Sequence, residues 1–226
     1  MTNEKHSQAI EDYIKIIYDL TRQHGRASTT QIAEAMAVKP ASVTGMIQKL
    51  AAAEPALVEY KKHRGALLTK AGERVALSVT RHHRLLEQFL HEVLGFPWDE
   101  VHEEAHHLEH VISEKFVERM AAVLGNPRYD PHGSPIPTRD LKIPEMTKLT
   151  LQDVDAGESV IVRRVPDDDS DLLRYLGEKG IMPDAILSVL EVLPFDKNIK
   201  LQVEGQSEPI VLGPNITAEI FVELST

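Results

Sequence analysis

A cluster of histidines and glutamates between positions 83 and 110 has the residue types and spacing of a metal site. His106, Glu109 and His110 stand at i, i+3 and i+4, which places them on one face of a helix, and His102 lies one turn earlier on the same side. His83 and Glu87 repeat the i, i+4 spacing on the preceding predicted helix. Imidazole and carboxylate ligands together suit Mn²⁺, Fe²⁺, Co²⁺, Ni²⁺ or Zn²⁺. A lone histidine is most often a packed or solvated side chain; two such sets on neighbouring helices are a stronger signal. The chain has no cysteine, so thiolate ligands and disulfides are excluded. His106-x-x-Glu109-His110 also matches the inverted zinc-peptidase motif, in which two histidines hold zinc and the glutamate activates water. That motif is short and weakly specific, and the sequence around it offers no domain to form a substrate cleft.

These ligands need helices to carry them, and the apolar periodicity supplies them. Ile10, Tyr13, Ile14, Ile17 and Tyr18 make one face of a first helix over about 4–24, closed by Gly25. Ser28 and Gln31 match a capping box and open a short second helix. After Ala37-Val38-Lys39, Pro40 suits the first turn of a third helix to about 53, with Val43, Met46, Ile47 and Leu50 inward. Residues 57–69 read as a β-hairpin with a basic tip. A long helix to about 94 follows, then a loop, then a helix predicted from an Asp99 N-cap to about 114 and another to 124. Residues 125–137 are a loop rich in Pro and Gly. From about 149 the pattern becomes short β-branched runs at 159–165, 186–193, 199–203, 210–212 and 219–224, with a small helix near 172–178, which predicts a compact β-barrel. The acidic run Asp167-Asp168-Asp169 reads by itself as a solvated loop.

Helix, tight turn, helix and basic hairpin is the order of a winged helix-turn-helix, whose second helix enters the major groove. The residues that would meet base edges are Lys39, Pro40, Ala41, Ser42, Thr44 and Gly45, with Gln48 one turn on. They are small or polar and permit close approach; Ser42 and Thr44 can exchange hydrogen bonds, and Pro40 or Ala41 can touch a thymine methyl. No arginine stands there for bidentate guanine reading, so modest specificity per monomer is expected. Lys61, Lys62, His63 and Arg64 at the hairpin tip suit phosphate contacts that position without reading sequence. The net charge of −10 argues against a DNA binder until it is divided. Residues 1–74 carry eleven Lys/Arg against eight Asp/Glu, a balance of +3, and the rest carries −13. The N-terminal third can face phosphate; the remainder would be repelled, which fits conditional affinity. The 226 residues, 42% of them hydrophobic, suit one large or several small soluble domains. With no long apolar run and a polar N-terminus, a cytoplasmic location is expected.

With these motifs in place, the chain resembles the diphtheria-toxin-repressor and manganese-transport-regulator family of bacterial metalloregulators over nearly its whole length. The likeness rests on Glu11-Asp12-Tyr13-Ile14, Ile32-Ala33-Glu34 through Val43-Thr44, Leu68-Thr69-Lys70-Ala71-Gly72, His83-Arg84-Leu85-Leu86-Glu87, the run from Val101 to Val111, and Gly125-Asn126-Pro127 to Pro137. The resemblance implies a mainly α fold with α+β parts: a winged helix-turn-helix domain (1–74), a helical dimerisation and metal domain (75–145) and a small β-barrel like Src-homology-3 domains (146–226). It implies a primary site of Asp12, His106, Glu109 and His110. It also implies an ancillary site of His83, Glu87 and His102 with an acidic ligand from the barrel, Asp169 first and Asp171 next. The hard carboxylate of Asp12 favours Mn²⁺, with Fe²⁺ second and Zn²⁺, Co²⁺, Ni²⁺ or Cd²⁺ able to substitute in vitro. His106 departs from the usual pattern, and Lys15 stands where some two-domain manganese members carry a carboxylate. The implied function is a homodimeric, non-enzymatic regulator that binds a palindromic operator in double-stranded DNA and represses metal-uptake genes when loaded. A metal storage or chaperone protein is the alternative, with the peptidase behind it.

Overall fold

The computed structural model describes residues 6–61 and 63–225. They fall into two compact units. The first takes the chain up to His83 together with Leu108–Ser113 and Pro137–Lys142; the second takes Arg84–His107, Glu114–Ile136 and the chain from Ile143 on.

In the first unit, α1 (Gln8–His24) buries Tyr13, Ile14 and Ile17 on the predicted face. It stops at Gly25, whose φ of 78° lets its N–H reach back to Thr21 O. α2 (Thr29–Ala35) starts at the predicted box: Ser28 Oγ accepts from Gln31 N at 3.1 Å, and Gln31 Oε1 accepts from Ser28 N at 3.0 Å. α3 (Pro40–Ala51) opens on its proline and buries Val43, Ile47 and Leu50. β1 (Val58–Lys61) and β2 (Gly65–Leu68) pair antiparallel from Val58↔Leu68 to Lys61↔Gly65. Gly65 has φ 82°, and a Cβ there would sit 2.6 Å from Ala27 O, so the hairpin can lie against Ala27 only with glycine at this position. One apolar cluster joins these elements, with Ile14, Ile17, Ile32, Val43, Ile47 and Leu50 at most 1% exposed. Each such side chain contributes about 1.5–3 kcal/mol, which fixes α3 against α1 and α2.

α4 (Lys70–Glu92) carries His83 and then Glu87 one turn later. α5 (Val101–Leu108) is shorter than the sequence suggests, and α6 (Glu114–Val123) begins only after a five-residue turn, Glu109 to Ser113. The helix expected to run to about 114 therefore ends at Leu108. Its carbonyl takes the amides of Val111 and Ile112 at 3.0 and 3.3 Å, and Glu109 leaves the helix to be buried among cationic side chains. Asp99, expected as an N-cap, instead pairs with Arg174 at 3.0 Å.

The rest of the second unit is built on a sheet of β3 (Ser159–Arg164), β4 (Ile186–Val192), β5 (Ile199–Val203), β6 (Ile210–Leu212) and β7 (Phe221–Leu224), ordered β6-β5-β4-β3-β7. All neighbours run antiparallel, and bulges between Val189 and Glu191 and between Val162 and Arg164 bend it. The expected barrel is not closed: among the described residues β6 and β7 remain edges. The short α7 (Ser170–Glu178) and α8 (Pro214–Thr217) complete this part. Trp98, from the loop after α4, joins the apolar core of the sheet. Gly177 on α7 makes room for it, since a Cβ there would lie 2.9 Å from the indole Nε1.

Candidate metal centre and nucleic-acid interface

Asp12, one turn into α1, and the turn after α5 are brought together in the first unit. His110 Nδ1 lies 2.6 Å from Glu11 Oε2, and its Nε2 lies 3.0 Å from Asp12 Oδ1 and 3.1 Å from Glu109 Oε1. Glu11 thereby orients the ring, as a carboxylate behind a ligating histidine does, and directs Nε2 at the other two carboxylates. Asp12 Oδ1 is buried without an aligned hydrogen bond, so its 3.0 Å approach to the imidazole is a charge contact. Glu109, with its side chain fully buried, also receives His83 Nδ1 at 2.7 Å and Lys15 Nζ at 2.9 Å. Burial alone would raise the Glu109 carboxyl; the close approach of the His110 and His83 rings, with the charges of His83 and Lys15, outweighs it and holds the group far below its usual 4.5. Burial alone would lower His110; its contacts with Asp12, Glu109 and Glu11 outweigh that and push it up to about 11. Converging carboxylate oxygens and an imidazole nitrogen, one oxygen lacking an aligned donor, form a hard donor set that fits a divalent cation.

A second group lies within the other unit. Oxygens of Glu87 and Asp130 and a ring nitrogen of His132 come within 4.8 Å of one another, all buried. His132 Nε2 lies 2.8 Å from Trp98 O, which makes Nε2 the donor and leaves Nδ1 a bare lone pair with no hydrogen-bond partner among the described residues. Asp130 Oδ1 accepts the amides of His132 and Ser134 at 2.9 Å each, while Oδ2 has no hydrogen bond and only Arg84 Nε at 3.7 Å. Burial and the neighbouring Glu87 charge push the Asp130 carboxyl well above its usual value. A pair of buried carboxylates beside an unused imidazole nitrogen fits a cation. Gly133, with φ 87°, shapes this loop: a Cβ there would stand 1.9 Å from Arg163 O. His102 Nδ1 is 3.0 Å from Glu87 Oε1.

Of the remaining expected ligands, His106 is exposed in the last turn of α5, three positions before Glu109. Asp169 caps α7, with Oδ1 accepting the amides of Asp171 and Leu172 at 3.0 Å each, and it is not brought to Glu87 or His102. Asp171 holds Arg174 at 2.9 Å. Of the acidic run, Asp167 is the one beside this loop, accepting from Ser134 Oγ at 3.3 Å.

On α3, Lys39, Pro40, Ala41, Ser42, Gly45 and Gln48 are exposed and Thr44 partly so. Nothing stands within 4 Å of where a Gly45 side chain would begin. The Thr44 hydroxyl donates to Pro40 O at 3.1 Å, which leaves its lone pairs outward as acceptors. Lys61, His63 and Arg64 are exposed around the hairpin turn, where His63 has φ 65°. Lys62 lies outside the described residues.

Residues 5–66 match the N-terminal DNA binding domain of the iron dependent repressors, 69–138 their metal binding and dimerisation domain, and 149–224 the FeoA domain. The chain is 31% identical to the iron-dependent repressor IdeR of Mycobacterium leprae (strain TN) over 214 residues, 86% of this chain and 92% of that protein. The chain belongs to the iron-dependent repressor family. Among solved structures, a manganese-dependent transcriptional repressor in complex with manganese is 37% identical, with TM-score 0.86 over 96% of this chain and all of that one. ScaR with bound Zn²⁺ is also 37% identical, with TM-score 0.79 over 95% of this chain and 98% of that one.

The iron-dependent repressors are DNA-binding regulators, not enzymes, and the geometry here agrees. The peptidase motif needs one helix to carry both histidines and the glutamate, and α5 ends before Glu109 and His110. No helix among the described residues is long and apolar enough to cross a membrane. Glu11, Asp130 and His132 were missed in the sequence. Glu11 hides beside Asp12 in the same turn of α1. Asp130-Pro131-His132-Gly133-Ser134 reads as turn chemistry, although an Asp and a His two residues apart in a Gly-containing turn is itself a usable ligand signal.

Proposed function

We propose that this member of the iron-dependent repressors is a cytoplasmic, homodimeric, manganese-responsive repressor of metal-uptake genes, with Fe²⁺ as the alternative effector. The observation that carries it is the convergence of Asp12 from α1 with Glu109 and His110 from the turn after α5. α1 shares its core with the reading helix α3, so whatever fixes Asp12 fixes the support of α3. A bound divalent ion would take over the neutralisation of Asp12 and Glu109 that His110 and Lys15 provide without it. Asp12, Glu109 and His110 hold it, with His106 added on its spacing before Glu109. Glu87 anchors a second position, with His83 and His102 on sequence grounds and Asp130 and His132 on their buried, unused ligand atoms. The donor set is oxygen and imidazole throughout, which suits Mn²⁺ and tolerates Fe²⁺, Zn²⁺, Co²⁺, Ni²⁺ and Cd²⁺. In a two-fold dimer the spacing of the α3 helices must match successive major grooves of a palindromic operator. Ligands that bind the matching arrangement better shift the population towards it. The test is operator binding by gel shift with EDTA-treated protein beside Mn²⁺, anaerobic Fe²⁺ and Zn²⁺ titrations. Binding that appears only with metal supports the reading and ranks the ions; equal binding without metal overturns it.

A further inference from the structure

Lys15 stands on α1 three residues after Asp12, and its ammonium lies 2.9 Å from Glu109 Oε2 and 3.2 Å from Oε1. Glu109 Oε1 is also the oxygen that meets His110 Nε2, and Oε2 the one that meets His83 Nδ1. Both oxygens of the buried carboxylate are thus engaged by a lysine whose own side chain is 22% exposed. A cation held by Asp12, Glu109 and His110 needs one of those same oxygens, and two cations on one carboxylate repel strongly where water is scarce. The lysine has somewhere to go: it is long, flexible and already partly in solvent. Glu109 has nowhere to go.

We propose that Lys15 is the resident counter-cation of this centre, holding Glu109 in the ion-free protein and leaving it when a divalent ion binds. Metal uptake is then an exchange, not the filling of a vacant cage: the ion takes the place of the Lys15 ammonium on Glu109, and His110 releases its Nε2 proton to solvent to free the lone pair. The lysine ties α1 to the Glu109 turn before any ion arrives, which keeps the ligands collected. It also sets a threshold: an incoming ion must outbid a charge-assisted contact already made, which a weakly held monovalent ion cannot do. Lys15 therefore trades metal affinity for a formed ion-free site.

The inference rests on the metal-site reading above, and the test separates the two. Full-length EDTA-treated dimer and Mn²⁺-loaded dimer are reductively methylated with labelled formaldehyde, and the reactivity of each lysine is read by mass spectrometry. Mn²⁺ uptake is measured in parallel by competition with a fluorescent chelator, with Asp12→Ala as the site control. Lys15 should react several-fold faster in the loaded protein while other exposed lysines stay constant. Lys15→Met should bind Mn²⁺ about tenfold more tightly or better, the direction expected when a like charge is removed, and Lys15→Arg should stay near wild type. Loss of one equivalent of Mn²⁺ per protomer in Asp12→Ala, with Lys15 reactivity unchanged in the loaded wild type, overturns the exchange alone. Uptake insensitive to Asp12→Ala, or none, overturns both readings. If Lys15→Met does not fold, the wild-type reactivity decides.

Discussion

Replacing Glu109 by Gln removes the one negative charge on which Lys15, His83 and His110 meet, at nearly constant shape. The Glu109 side chain is fully buried and the two histidines are 6% and 4% exposed, so solvent cannot take over its role. Removing one partner of a buried pair costs about 3–5 kcal/mol; because Lys15 can swing into water, the low end, about 3 kcal/mol, is expected. For a chain of this size about 2–4 °C of Tm accompanies each kcal/mol, which gives a fall of about 6–12 °C in the transition of the first unit. Circular dichroism or calorimetry on EDTA-treated protein reads it. The loss also has a pH signature. Glu109 titrates far below 4.5 in the folded state, so its contribution is complete above 4.5 and is lost as pH falls below it. His110 is raised to about 11, so its contribution is complete below 6.5 and is lost as pH rises towards 11. Wild type and variant should differ most between about pH 5 and 6 and converge in acid. A Tm change under about 2 °C, or a gap that widens below pH 4, would refute the reasoning that Glu109 is the charge centre of the ion-free protein.

Asp12→Ala should abolish metal-dependent operator binding and leave the dimer intact by analytical ultracentrifugation; monomerisation would place Asp12 in the wrong role. His132→Ala should lower bound Mn²⁺ by one equivalent per protomer in equilibrium dialysis, and unchanged stoichiometry would remove the Glu87, Asp130 and His132 group from consideration. Arg64→Ala should weaken binding to all DNA sequences alike and reduce the salt slope of log K by about 0.9; a change in sequence preference instead would mean that the hairpin reads bases.

The elements of the first unit were legible because their signals are local. The Ser28–Gln31 box, Pro40 at a first turn and the Ile10–Tyr18 face specify start, stop and orientation within a few residues each. The end of α5 was not legible. The periodicity of His102, His106 and His110 runs on through Leu108, and only the burial of Glu109 among Lys15, His83 and His110, residues 94 and 26 positions away or adjacent, explains why the helix stops. The same non-locality hid Glu87 with Asp130 and His132, since nothing in either segment announces the other. The strands are legible one by one from β-branched alternation, but closure depends on whether the two edges meet, which no short window of sequence carries. Asp169 shows a local signal beside the ligand expectation: an acidic residue before Ser170-Asp171-Leu172 is an N-cap by local rules, and its Oδ1 does cap α7.

The distribution of charge indicates which part of the switch the ion can carry. The protein has a net charge of −10, with the basic excess confined to the first 74 residues. One divalent ion on Asp12 and Glu109 changes that total by two charges, and if Lys15 is released to solvent its charge is no longer neutralised by Glu109. At physiological salt such charges are screened beyond about 8 Å, and neutralising two phosphate-repelling charges alters the salt slope by less than about 2. That is too little to turn a weak non-specific binder into an operator-specific one, where the gap is typically about 4–10 kcal/mol. The larger lever is geometric. Asp12 shares α1 with Tyr13, Ile14 and Ile17, which lie against the residues that hold α3, and close-packed interiors transmit displacement instead of absorbing it. On the proposed site, an ion that fixes Asp12 would also fix α3 through their shared core, and its charge would matter chiefly for replacing the flexible Lys15 contact on Glu109 with one that includes Asp12.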